Sequence, residues 1–263
     1  MDIRGMNIVL TGATGGIGRA IASQLSREGA TLILVARNEQ RLTALVDELG
    51  GDHTAVPADL GDDEGRRKVV EACCEAGIDM LINAAGINEF SLFEKQSAST
   101  IRAMLEVNLL SPILLTQDLL PVLRQQEQGR IVNIGSTFGS IGYPGFSGYC
   151  ASKFGLRGFT EALRRELVDT NIRVSYVAPR ATRTELNSDT VVAMNDELGT
   201  AMDDPSLVAR EVMSVIRGPA NSDKYIGWPE KIFVRINALF PALVDNSLRK
   251  QLPTIRRFAT SKP

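Results

Sequence analysis

Three side chains in the middle of the chain have the types and spacing for proton transfer to or from a carbonyl oxygen: Ser136, Tyr149 and Lys153. Tyr149 and Lys153 stand four residues apart at the start of a helical pattern, so they share one face about one turn apart. A phenol with an ordinary pKa of about 10 is a weak acid and a poor base near neutrality. A fixed ammonium a few ångströms away favours the phenolate, which predicts a pKa brought towards the operating pH. Ser136 follows the apolar run 130–134. If that run is a strand, its carboxyl end is where an open α/β sheet presents ligands, and a hydroxyl there can hydrogen-bond a substrate carbonyl. A tyrosine and a lysine at this spacing are ordinarily solvated or stacked neighbours, so the pair takes its meaning from the elements that position it.

The first of these elements lies at the N-terminus. Residues 7–10 are apolar apart from Asn7 and lead directly into Thr-Gly-Ala-Thr-Gly-Gly-Ile-Gly at 11–18, after which Ile17, Ile21 and Leu25 repeat every fourth position. This predicts a strand, a glycine-rich turn and a helix. Gly12 and Gly16 let the backbone turn tightly and approach a pyrophosphate, the helix N-terminus offers unsatisfied amides, and Gly18 permits close helix-to-strand packing. A plain loop or a methyltransferase-type turn carries similar glycines; the flanking strand and helix favour nucleotide binding. A second apolar strand, 31–36, ends at Arg37-Asn38. NAD-selective sites place an acid about here, roughly 20 residues beyond the glycines, on the ribose hydroxyls. That acid is missing, and Arg37 can pair a phosphate on the adenosine ribose bidentately, so NADP is expected. The plain alternative is a solvated loop arginine.

Further along, a helix over 39–49, a strand over 53–58 ending at Asp59-Leu60, and a helix over 62–76 are expected. A fourth strand closes at Asn83-Ala84-Ala85-Gly86, small residues that would let backbone lie against a cofactor, although the same four make a reasonable turn. One long amphipathic helix is predicted over 99–128. Pro112 and Pro121 predict a bend in it, and Asn108, just before the first, is placed for a non-helical task. A fifth strand at 130–134, the helix bearing Tyr149 and a sixth strand at 171–178 follow. The alternation predicts a parallel, doubly wound α/β sheet with right-handed crossovers. The stretch 185–205 is polar with little periodicity, the profile of a mobile substrate loop.

Composition sets the outer bounds. The 263 residues carry 44% hydrophobic and 23% charged side chains and a formal net charge of −2, ordinary for a soluble globular chain, with no reason to expect a nucleic-acid partner. No linker divides the chain, and neither a signal peptide nor an 18-residue uncharged apolar stretch is present in the sequence, so a cytoplasmic protein is expected. Three cysteines, Cys73, Cys74 and Cys150, cannot all pair and fit a reducing compartment. The one histidine, His53, is far from Cys150 in sequence, which argues against a Cys/His nucleophile and against any His-ligated metal site. Cys150 is expected to be a small buried side chain.

Taken together, these motifs make the chain resemble the short-chain dehydrogenases/reductases. Residues 11–18 fit that family's TGxxxGxG, Asn83 to Gly86 fit its NNAG in all but one position, and Ser136, Tyr149 and Lys153 fit its catalytic serine and YxxxK. The resemblance covers nearly the whole chain. It implies one Rossmann-type domain over 1–263, with a core at 1–228, an extension at 229–263, and a seven-stranded sheet completed by a helix over 205–217 and a strand over 224–227. It implies that Tyr149 is the general acid or base, its pKa lowered by Lys153 and the nicotinamide cation. Lys153 would also hold the nicotinamide ribose, Ser136 would polarise the substrate carbonyl, and Asn108 would keep a water in the proton relay. Gly12, Thr14, Gly15, Gly16, Ile17 and Gly18 would hold the dinucleotide. Asp59 and Leu60 would meet adenine, Asn83 to Gly86 the adenine ribose, and Pro179, Thr182 and Thr184 the nicotinamide end. Arg37 stands where NADP-preferring members carry a basic residue. One departure is evident: where the family has Pro-Gly after the sixth strand, this chain has Pro179-Arg180, which opens the question of that loop's geometry. The activity implied is NADP(H)-dependent exchange of hydride between nicotinamide and a carbonyl or secondary alcohol, with a 3-oxoacyl-thioester reductase as the nearest alternative. A non-catalytic dinucleotide sensor is the rival of another class, and the intact Ser136 and Tyr149 count against it. Family members commonly form dimers or tetramers through the helices starting near Ser99 and Tyr149.

The C-terminal segment stands apart. Ile232, Ile236, Leu239, Leu243, Leu248, Leu252 and Ile255 repeat at roughly helical spacing, interrupted by Pro241 and Pro253. Lys231, Arg235, Arg249, Lys250, Arg256, Arg257 and Lys262 face only Glu230 and Asp245 in charge, a balance of +5 over 230–263. Two readings stay open: the segment packs across the substrate cleft or a partner subunit, or it lies on an anionic membrane surface. It loosely resembles the C-terminal extension of membrane-associated hydroxysteroid-type relatives, which implies an apolar substrate.

Overall fold

The structure is a computed structural model that describes residues 1–218 and 223–260; Lys262 of the basic tail lies outside them. In chain order it runs β1 (Asn7–Thr11), α1 (Gly16–Arg27), β2 (Thr31–Ala36), α2 (Glu39–Leu49), β3 (Thr54–Pro57), α3 (Asp63–Ala76) and β4 (Met80–Asn83). There follow α4 (Ala98–Leu105), a π-turn (Glu106–Leu110), α5 (Ser111–Leu123), β5 (Arg130–Ile134), α6 (Ser147–Glu166) and β6 (Arg173–Ala178). The chain then continues through α7 (Asp189–Glu197), α8 (Pro205–Arg217), β7 (Asp223–Tyr225), α9 (Glu230–Leu239) and α10 (Pro241–Thr260).

The seven strands pair in parallel in the order β3-β2-β1-β4-β5-β6-β7. The continuous apolar runs are the reason: Ile8 to Leu10, Leu32 to Val35 and Met80 to Ile82 are all buried, as strands covered on both faces must be. On one face Ile21 and Leu25 of α1, Leu42 and Leu45 of α2, and Val212, Met213 and Ile216 of α8 join one core. On the other, Val69 and Cys73 of α3, Leu115, Leu119 and Leu123 of α5, and Leu163 of α6 form the second. Strand order reverses between β1 and β4, and a crevice opens there at the strands' carboxyl ends.

Two expectations change. The helix expected over 99–128 ends at Leu123 and is divided into α4 and α5 by the π-turn at Glu106–Leu110, with Pro112 in the turn that directly follows. By length and composition Ala98–Leu123 is apolar enough to cross a membrane, but here Met104, Leu115 and Leu119 bury one side of it in the fold. The stretch 185–205 is not a bare loop: Ser188 caps α7 by accepting from Val191 N, and Val191 and Met194 are buried. The C-terminal series folds as two helices, with Pro241 opening the second and Pro253 lodged within it. Ile255 packs with Val191 and Met194 in one cluster, Tyr143 Oη donates to Gln251 Oε1 at 3.4 Å, and Asn237 Nδ2 donates to Ser140 O at 2.9 Å. The inner face of this extension therefore packs on the rest of the chain.

Candidate active site

The glycine-rich turn is shaped by close backbone approach. Gly12 adopts φ +67°, and a Cβ there would stand 2.7 Å from the Ala85 backbone; one at Gly18 would stand 2.1 Å from Gly12 O. Thr11 Oγ1 accepts from Ala84 N at 3.0 Å and Ala85 N at 3.1 Å, lacing the ends of β1 and β4 together. Above them lies a cleft of about 360 Å³. Gly12, Thr14, Gly15, Gly16, Ile17 and Gly18 line it, as do Arg37, Asp59 and Leu60, then Ala84, Ala85 and Gly86, and finally Tyr149, Lys153 and Thr184. Bare backbone at the N-terminus of α1, with no room for side chains, suits a pyrophosphate. Arg37 is exposed at the cleft's rim. Arg41, one turn into α2 and not singled out in the sequence, donates to Thr14 O at 3.5 Å and pairs with Glu185 at 3.1 Å.

Asn83 does not line this cleft. Its carboxamide points into the layer beneath, donating to Asn133 Oδ1 at 2.9 Å and Thr116 Oγ1 at 3.3 Å, while Asn133 donates to Thr160 at 2.9 Å. It belongs to a buried polar ladder that ties α5, β4, β5 and α6 together, because the last residue of β4 still obeys the strand's alternation.

Lys153 is buried, and its Nζ donates to Ile134 O at 3.1 Å and lies 5.8 Å from the centre of the Tyr149 ring. Tyr149 is also buried, and Ser136 lines the same cavity. The expected depression of the phenol pKa is reversed in the chain alone: burial pushes Tyr149 up to about 12 against the pull of Ser136, and burial brings Lys153 down to about 8. Ser136 is itself fixed. Its backbone amide donates to Tyr176 Oη at 3.2 Å, the Tyr176 hydroxyl donates to Ser136 O at 3.2 Å, and its Oγ accepts from Phe138 N at 3.1 Å. Tyr176 is fully buried, with its phenol pushed well up by burial; only its place in β6 hinted at this role. Asn108, in the π-turn, spends its whole carboxamide on neighbours: Oδ1 accepts from Ile87 N at 2.8 Å, and Nδ2 donates to Ile87 O at 2.8 Å and Ser152 Oγ at 3.0 Å. A Cβ on Gly86 would stand 3.4 Å from Asn108 Oδ1 and 3.6 Å from Lys153 Nζ, so the two groups converge on one spot.

Beside the cleft lies a second cavity of about 420 Å³, and Tyr149 lines both. Ser136 lines only the second, together with Pro179 and Thr182, which the sequence placed with the cofactor; Thr184 borders the two. Its walls are mainly apolar, with Arg180 and Glu230 also lining it. Phe138 stacks on Tyr143 at 4.8 Å and neighbours Phe146, which meets the Tyr149 ring edge-on at 6.3 Å. Val191 and Met194 come from α7, and Phe233, Ile236, Leu243 and Leu248 from α9 and α10. The C-terminal wall was foreshadowed only by its apolar repeat.

The family model for short chain dehydrogenase matches residues 6–194. The chain belongs to the short-chain dehydrogenase/reductase family. It is 36% identical over 189 residues to a 3-oxoacyl-[acyl-carrier-protein] reductase of Bos taurus, covering 71% of this chain and 78% of that one. It is 33% identical over 258 residues to the ketoacyl reductase HetN of Nostoc sp., covering 94% and 89%, a span that takes in part of the C-terminal extension. In fold it is similar to the crystal structure of a 3-ketoacyl-(acyl-carrier-protein) reductase from Brucella melitensis complexed with NADH, with TM-score 0.81 at 23% identity over 87% of this chain and 99% of that one. This short-chain dehydrogenase/reductase is thus an oxidoreductase of C=O and CH–OH groups whose family binds a nicotinamide dinucleotide. Its departure at residue 180 is accommodated by charge pairing: Arg180 Nη2 lies 2.7 Å from Asp203, and Nη1 lies 3.2 Å from Glu230.

Proposed function

We propose that this short-chain dehydrogenase/reductase is an NADP(H)-dependent reductase of ketones or dehydrogenase of secondary alcohols whose non-reacting part is apolar. The observation that carries the reading is the position of Tyr149, which faces both the glycine-floored cleft and the apolar cavity and lines the latter together with Ser136. A bound nicotinamide supplies or accepts the hydride. The chain's own residues manage the proton. The Tyr149 hydroxyl donates to the carbonyl oxygen in reduction and accepts in oxidation, while Ser136 holds that oxygen by a hydrogen bond. Lys153, fixed on Ile134 O, supplies positive charge beside the phenol, and Asn108 keeps the Ile87 backbone and Ser152 in place around them. The aromatic and aliphatic walls keep bulk water away from the exchange.

Arg37 at the rim, with Arg41 one helical turn beyond and no acid at the end of β2, supports preference for the ribose phosphate of NADP. Reduction of a 3-oxoacyl thioester is the second reading, favoured by the similarity to the bovine and cyanobacterial reductases. The whole chain acts as one domain with 229–263 as its extension. Exposed Leu105 and Leu110 near the π-turn and Phe154 on α6 support a homodimer or homotetramer through these helices. Leu239 and Phe240 at the junction of α9 and α10 are exposed, and so are Lys231, Arg235, Arg249 and Lys250 of these helices, which supports peripheral contact of this tip with anionic lipid. Three free cysteines fit a cytoplasmic setting.

The test is titration with NADPH and with NADH, followed by nicotinamide fluorescence, and then addition of ketones and 3-oxoacyl thioesters. Selective NADPH binding and its oxidation by a panel member are expected. Tyr149→Phe is expected to lose at least about 100-fold in turnover with NADPH affinity nearly unchanged; undiminished turnover sinks the mechanism, and tight binding without turnover by any substrate favours a sensor.

A further inference from the structure

Arg180, the residue that departs from the family pattern, is left unused by the proton-transfer chemistry. Its side chain is only 16% exposed and is held by carboxylates from two separate elements. Nε and Nη2 donate to Asp203 at 2.9 and 2.7 Å; Nη1 donates to both Glu230 oxygens at 3.2 Å and to Trp228 O at 3.2 Å. Asp203 is laced to the same loop by its backbone, its amide donating to Ala181 O and its carbonyl accepting from Arg183 N, both at 2.9 Å. The excursion that contains α7 is thereby closed at its base beside Arg180. Glu230 is the first residue of α9. Gly227, at φ +99°, leaves the room the guanidinium needs: a Cβ there would stand 2.7 Å from Arg180 Cδ and 2.8 Å from Glu230 Oε2.

One guanidinium between two carboxylates carries no surplus positive charge, so the cluster does not recruit an anionic substrate. What it joins are the bases of the two apolar walls, α7 with Val191 and Met194, and α9–α10 with Phe233, Ile236, Leu243 and Leu248. The planar fork suits this task, because it can serve two carboxylates at once in fixed directions where an ammonium could not. Removing one member of such a charge cluster leaves the others buried and unpaired, so the walls are tied to one spacing.

We propose that Arg180 is a specificity-determining positioning residue: by clasping Asp203 and Glu230 it fixes the separation of α7 from α9–α10, and so sets how long an apolar substrate the cavity accepts. The proposal rests on the reductase reading above and deepens it.

The test is steady-state kinetics of the wild type, Arg180→Gly and Glu230→Gln on a series of ketones of increasing chain length, with hydrogen exchange of α9–α10 measured alongside. In Arg180→Gly the loss of kcat/KM is expected to grow along the series, through KM, and to be about tenfold greater for the longest member than for the shortest. That ratio matches roughly one methylene's worth of pocket contact. NADPH affinity stays unchanged, and exchange in α9–α10 rises. Glu230→Gln, which keeps the Arg180–Asp203 pair, is expected to shift both readouts the same way by less. An equal loss at every chain length, or unaltered exchange of α9–α10 in both variants, overturns the proposal. If the wild type reduces no ketone, the reductase reading fails, while the exchange measurement still decides whether the clasp holds the helices.

Discussion

Burial, more than proximity, governs the two titrating groups at the centre of the site. From sequence, an ammonium one helical turn away should stabilise a phenolate. In the folded chain both groups are buried, which disfavours the charged form of each, and the values move to about 12 for Tyr149 and about 8 for Lys153, still an ammonium near neutrality. The lysine has a consequence for stability. Its folded value lies below its ordinary 10.5, so between pH 8 and 10.5 the unfolded chain binds more protons and stability rises with pH. Lys153→Met is therefore expected to be more stable than the wild type below pH 8, by up to about 3 kcal/mol, with the advantage fading towards pH 10.5. Urea melts at pH 7 and pH 10 check this. Tyr149 moves the opposite way: its stabilising share is present below pH 10 and lost as pH rises through 12, above that window. The positions of Ser136, Tyr149, Lys153 and the glycine turn were legible because spacing fixes which residues share a helix face or a turn. Tyr176 and Arg41 were not, because a strand tyrosine and a helix arginine reveal their partners only when distant segments meet.

At the scale of elements, strands such as β1, β2 and β6 could be read to within a residue or two because a parallel sheet covered on both faces favours near-continuous apolar runs. Two helical features escaped. The π-turn at Glu106–Leu110 has no periodicity of its own, and the nine residues of α7 carry too few apolar side chains, Val191 and Met194 among them, to form a clear stripe. These helices depend on tertiary partners. Ile255 of α10 is fully buried against Val191 and Met194. Ile255→Ala is expected to lower the free energy of opening of α7 and α10 by about 2–5 kcal/mol. Hydrogen exchange should show faster exchange in those two helices and little change in the β-strands; a uniform increase across the chain would mean that the helices are not a separate cooperative unit.

Across the whole molecule the C-terminal extension shows two characters. Its inner side closes the apolar cavity. Its outer tip leaves Leu239 73% and Phe240 60% exposed, and Arg235, Arg249 and Lys250 of the same two helices are exposed as well. Sedimentation with vesicles should show binding to those containing anionic lipid, weakening with salt. Leu239→Glu with Phe240→Glu should reduce it about tenfold or more, since each side chain then loses apolar burial and adds repulsion. Equal binding to neutral and anionic vesicles removes the role of the basic residues, and binding to neither removes the membrane reading in favour of a second copy of the chain on that face.

The order of elements along the chain carries a last consequence. Among the described residues every strand precedes residue 226, and the roof over the substrate cavity is appended afterwards as α9 and α10. The dinucleotide cleft and the proton-handling residues are therefore encoded separately from much of what selects the substrate. A lineage could exchange the final thirty or so residues and inherit a new preference on an unchanged chemical engine. Such an exchange would not be free of conditions: Glu230 reaches back to Arg180, and Arg180 to Asp203, so a transplanted roof must bring its acidic first residue with it or leave a guanidinium half-paired at the seam.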